Sequence, residues 1–238
     1  MFKKIKKLEG PKILYLIFIG IVVLELVASI LTVIFAEEAH IVDSGISNIF
    51  LSLLALLLFS LPWLIEIRFN VDIPNYIEVL VLIFVFAAIV IGNIHGLVES
   101  MPGYDKLMHI ISGITIAIIA FEIVHIANQS EKTSSALSPI TVSIFAFTFA
   151  MTLLVIWEFY EFFIDTIAYN IDSDTLRNMQ RYQWDNTRVL FPQDNGLVDT
   201  MLDLLVGGAG AAIVSLTGWW ILRNQQIKSV ETRVQSKK

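Results

Sequence analysis

The stretch ILYLIFIGIVVLELVASILTVIFA, residues 13–36, decides the fold class, because Glu25 is the one charged side chain in it. At a rise of ~1.5 Å per residue, a helix of this length crosses a hydrocarbon core of ~30 Å. It is too long for the apolar core of a signal peptide, and no convincing small-residue cleavage site follows, so it reads as a retained helix. Five further blocks of the same character follow at about 45–67, 77–97, 106–126, 139–167 and 197–222. Pro62 lies near the end of the second, and Pro74, compatible with a helix start, lies just before the third. The expectation is an all-α, polytopic membrane helix bundle with six transmembrane helices. It divides into a basic N-terminus at 1–12, a membrane domain at 13–222 that includes a long connection at 168–196, and a basic tail at 223–238.

Composition agrees with a lipid environment. Charged residues are 16% of the chain and hydrophobic ones 56%, against roughly a quarter charged in soluble domains. The lipid bilayer is therefore the first partner, and nothing points to nucleic acid. The absence of cysteine excludes disulfides, thiolate metal sites and cysteine nucleophiles.

Lysine and arginine set the expected orientation. Twelve lie in the N-terminal segment, the 2–3 and 4–5 connections and the C-terminal tail, against four (Lys106, Arg177, Arg181, Arg188) on the opposite side. Six spans then place both termini in the cytoplasm of a multi-pass plasma-membrane protein. The three arginines at 168–196 stand beside Asp172, Asp174, Asp185 and Asp194. That connection also holds Tyr169, Tyr182, Trp184 and Phe191, which fits either a cap on the membrane surface or a solvated loop with interfacial aromatics.

The remaining ionisable residues gather at one end of three spans. Asp105 and His109 open the fourth, four residues apart, with Ser112 and Gly113 continuing the same face. Glu158, Glu161 and Asp165 share a face at the end of the fifth, spaced i, i+3, i+7. Asp199 and Asp203 open the sixth, followed by Gly207, Gly208 and Gly210, which permit close helix approach. The expected topology brings all seven to the extracytoplasmic side. A carboxylate in a hydrocarbon layer costs roughly 2.5–3.5 kcal/mol on insertion scales, so a cluster there needs a neutralising partner. Protonation is one means and a cation another. Oxygen ligands with one imidazole suit Mg, Mn, Ca or Zn.

On this reading Asp105, His109, Glu158 and Asp203 are the metal ligands, and Glu161 is a general base or supports them. Asp199, Asp165 and Glu122 are further site candidates. The structural alternatives are an interfacial position for Asp165 and Asp199, and a salt bridge from Lys106 to Glu161 or Asp199. Elsewhere, Glu25 stands mid-span and pairs with His95 or Asn93 or is protonated. Glu122 and His125 read as interfacial, and Glu66, Arg68 and Glu78 as snorkelling charges.

The strings Tyr-Asp-Lys-Leu-x-His-x-x-x-Gly (104–113), Trp-Glu-x-x-Glu (157–161) and Asp-Thr-Met-x-Asp (199–203) resemble the YjdF-like family of bacterial inner-membrane proteins over roughly residues 60–222. A looser similarity, through Asp-Lys-x-x-His, reaches the VanZ-like proteins, implicated in glycopeptide resistance. The family pattern falls on Asp105, His109, Gly113, Glu158, Glu161, Asp199 and Asp203, with Glu122 matching as well. Some members carry Arg before that Glu where this chain has Phe121. The resemblance marks the site and lends no activity. Three functions follow from the residues: a metal-dependent hydrolase or transferase acting on a lipid or envelope precursor, an ion-binding or transport protein, and a structural or accessory membrane protein.

Overall fold

The computed structural model describes residues 9–128, 137–171 and 195–235. Within the 168–196 connection, residues 172–194, with the arginines and most of the aromatics, lie outside the described residues, as do the lysines at 3–7 and Lys132. The described chain is helical throughout, and six helices are long and apolar enough to cross a membrane. It is a multi-pass membrane protein. It forms two compact units, one reaching to Tyr104 and the other starting at Asp105.

The first unit holds α1 (Glu9–Phe35), α2 (Ala39–Phe69), α3 (Asn75–Val85), a π-helical segment (Phe86–Ile94) and the single turn α4 (Leu97–Ser100). Val22, Leu51, Ala55, Phe59, Leu82, Val85, Ile89 and Val90 form its core. The outward faces remain apolar, with Leu16, Leu24 and Phe35 of α1 largely exposed, as suits a surface that meets lipid. Asn70, in the left-handed conformation at φ 51°, ends α2. The carboxylate of Glu66 accepts the Ile73 N–H at 3.2 Å and ties down the turn into α3. Glu66 and Glu78 are therefore buried inside the unit rather than snorkelling to its edge.

The third span ends earlier than its hydropathy predicts. It widens into the π-helical segment, where the Asn93 amide donates to Ala88 O at 2.9 Å and Tyr104 Oη to Ala87 O at 2.9 Å. Gly96, at φ +69°, then turns the chain away. The wider turn presents His95 to α1, where its Nε2 lies 3.1 Å from Glu25 Oε1. The mid-span carboxylate thus has the His95 partner that its isolation calls for.

The second unit holds α5 (Tyr104–Asn128) from Asp105 onward, α6 (Pro139–Ile171) and α7 (Asn195–Gln235). Ala117, Ala150 and Ala211, one from each helix, meet at its centre. Small side chains at this crossing let three helices approach where no hydrophobic force draws them together in lipid. The helix α7 continues well beyond Leu222 into the expected tail, and Arg223 sits over the Trp219 ring, 5.3 Å from its centroid.

Candidate metal centre

Gly113 of α5 and Gly207 of α7 bring the site together. A Cβ on Gly113 would lie 1.9 Å from the Gly207 carbonyl oxygen, and one on Gly210 2.5 Å from Ile110 O. The two helices therefore touch backbone to backbone, a spacing that any larger residue forbids. One turn earlier on α5 stands His109, and one turn earlier on α7 stands Asp203. The close crossing sets the separation of these two side chains.

Seven ionisable groups of this unit lie at the same end of the three helices. His109, Glu158, Glu161, Asp165, Asp199 and Asp203 are buried, and Asp105 is the most open at 26% side-chain exposure. Asp105 also sits in the first turn of α5, where the partial positive charge of the helix end favours it. Glu122 does not join them, since it lies thirteen residues beyond His109 on α5, ~20 Å along the axis at ~1.5 Å per residue. Phe121 before it packs its ring against Gly218.

Lys106 enters the cluster as its internal cation. An ammonium has three donors, and here each finds one carboxylate: Asp105 at 3.0 Å, Asp203 at 2.7 Å, and Asp199 in the shortest contact of the three. Of the two salt bridges the sequence allows, the one to Asp199 forms and the one to Glu161 does not. Glu161 instead accepts the Trp157 indole N–H at 2.7 Å, one turn back on its own helix.

The imidazole of His109 stands between two groups of acids. Its Nε2 lies 3.6 Å from Asp105 Oδ1 and 3.7 Å from Asp203 Oδ1, and its Nδ1 lies 3.8 Å from Glu158 Oε1. These separations exceed a normal hydrogen bond. They are close to those between neighbouring ligands of one metal, roughly 3–3.8 Å for bonds of ~2.0–2.6 Å. Two sets of three offer ligand atoms within 4.8 Å of one another: Asp105, His109 and Asp203, and His109, Glu158 and Glu161. His109 Nδ1, both Glu158 oxygens and Asp203 Oδ1 are buried with no hydrogen-bond partner. The Thr200 hydroxyl interacts with Glu158 without making a hydrogen bond of normal geometry. Buried polar atoms are nearly always paired, so four orphans around one imidazole fit a ligand that completes some of them. Asp165 and Asp199 are buried beside these sets without belonging to either.

The sequence signal for this cluster was the shared helix face. It also offered Lys106 as a partner for Asp199, but not that one lysine serves Asp105, Asp199 and Asp203 together. No curated protein and no solved structure matches the chain. Residues 14–224, which include all three motif strings and every side chain of the cluster, match the family described as predicted membrane protein (DUF2238), and the chain belongs to that family.

Proposed function

We propose that this protein is a membrane-embedded, metal-dependent hydrolase or transferase acting on a lipid or envelope precursor at the outer face of the bacterial cell membrane. The observation that supports it best is the buried pair His109 and Glu158, 3.8 Å apart with their facing atoms unpaired. A divalent cation in the cluster formed by Asp105, His109, Glu158 and Asp203 neutralises the excess acid and polarises a bound water. Glu161, steadied by Trp157, is placed to take the proton of that water. Asp105, the most exposed of the acids, marks the side from which a headgroup reaches the centre. Asp199 and Asp165 complete the acidic surround. Within its family the chain groups with the YjdF-like proteins on the three strings above, and Asp-Lys-x-x-His carries the similarity to VanZ-like proteins.

The test is metal content. Protein purified without chelator is expected to carry Zn, Mn, Mg or Ca by elemental analysis. Metal-free protein is expected to gain thermal stability on adding the right ion, since binding to the folded state raises it. His109→Ala is expected to abolish both effects. A protein that holds no metal and melts identically with all four ions overturns the proposal and favours a transport or structural role.

A further inference from the structure

Resting on that reading, we infer that the cation binds on the Nδ1 side of His109, to Nδ1 and Glu158 with Glu161 beside them, and that Lys106 blocks a second cation position on the Nε2 side. The two ring nitrogens point apart, so one ion cannot use both. The groups facing them differ in charge balance. On the Nε2 side stand Asp105 and Asp203, which share the Lys106 ammonium with Asp199. On the Nδ1 side stands Glu158, with Glu161 in the same ligand set, and among the described residues no lysine or arginine forms an ion pair with either. Glu158 has both oxygens free of hydrogen bonds and Glu161 has one taken by Trp157. The side with uncompensated carboxylates and an orphaned nitrogen is the one that attracts a metal.

The other nitrogen then has a defined task. A metal-bound histidine commonly donates its remaining ring N–H to a carboxylate, which fixes the tautomer and strengthens the ligand. Asp105 Oδ1 and Asp203 Oδ1, at 3.6 and 3.7 Å from Nε2, are the acceptors for that donation after a shift of less than an ångström. Asp105 and Asp203 are thus positioning residues, and Lys106 holds their outer oxygens. Removing Lys106 leaves Asp105 and Asp203 beside Nε2 without that ammonium, and with His109 they form a second ligand set, in which the Nε2 proton leaves to solvent and the imidazolate bridges two ions.

The experiment equilibrates detergent-purified protein with Mn²⁺ or Zn²⁺ and counts tightly bound ions per chain by elemental analysis. Electron spin-echo spectroscopy of the Mn²⁺ form reads the imidazole nitrogen on the ion. Wild type is expected to bind one ion and Lys106→Met two. With Lys106 kept, Glu158→Gln is expected to bind none, and Asp203→Asn to keep one ion with roughly 10–100-fold weaker affinity. These two variants decide the question even if Lys106→Met does not fold. A single ion in wild type that survives Glu158→Gln and is lost in Asp203→Asn overturns the inference while leaving a metal centre. One ion in a folded Lys106→Met also overturns it. No ion in wild type overturns the functional reading itself.

Discussion

Glu158 is 3% exposed, and both of its oxygens lack hydrogen bonds. A charge buried without a partner costs several kcal/mol, whereas an unsatisfied neutral amide costs about 1–3 kcal/mol. Glu158→Gln keeps the shape and removes the charge. In metal-free protein its melting temperature is expected to rise above wild type, by about 2–4 °C per kcal/mol gained. With metal present the order is expected to reverse, because the variant loses a proposed ligand. Thermal melts with and without the cation check this, and a variant less stable in both conditions would mean that Glu158 serves packing alone. At this scale the sequence was legible as far as faces go: i, i+4 and i+3 spacing put Asp105 with His109 and Glu158 with Glu161. It could not say which imidazole nitrogen meets which acid, or that three aspartates share one lysine, because those facts depend on how helices distant in sequence are rotated against each other.

Among the elements, α5 and α7 have the least tolerance. Gly113→Ala puts a methyl group 1.9 Å from a backbone oxygen that cannot move without the whole helix, so α5 and α7 are expected to separate. Overpacking of this kind costs roughly 1–3 kcal/mol or more, and it also pulls His109 away from Asp203. The expected result is a lower melting temperature together with loss of metal binding. Gly208→Ala is the control, since its Cβ would meet the flexible Met151 side chain at 3.1 Å and is expected to leave both properties near wild type. Equal damage from the two changes would show that the Gly113 crossing does not set the site. The glycines were readable as a close approach because they follow the acids within one or two turns. The π-helical segment was not readable, because apolar residues such as Phe86–Ile91 satisfy an α-helical and a π-helical pitch equally. The early end at Ile94 is decided by Asn93, Gly96 and the Tyr104 hydroxyl.

For the molecule as a whole, the open quantity is direction across the membrane. Block length made six spans legible, since an apolar run of ~20 residues has few other uses. Direction depends on charges that lie largely in the connecting segments. Positive side chains are retained on the cytoplasmic side, and the bias is counted within about 15–20 residues of each span. Twelve lysines and arginines against four favour one direction. The structure strengthens the contrast in one respect: Lys106, one of the four, is spent on Asp105, Asp199 and Asp203 and is not a free interfacial charge. At the opposite end of the same bundle, α7 carries Arg223 and Lys228 on a helix that runs past the apolar span, with Arg223 over Trp219 as interfacial residues sit. Reporter domains inserted within 129–136, or fused after residue 238, are expected to read cytoplasmic, and one inserted within 172–194 extracytoplasmic. That arrangement places the acid cluster at the outer leaflet, where a lipid-linked envelope precursor can reach it. The opposite readout would turn the cluster toward the cytoplasm and exclude an outer-leaflet substrate, while leaving the proposed metal centre and its tests unchanged.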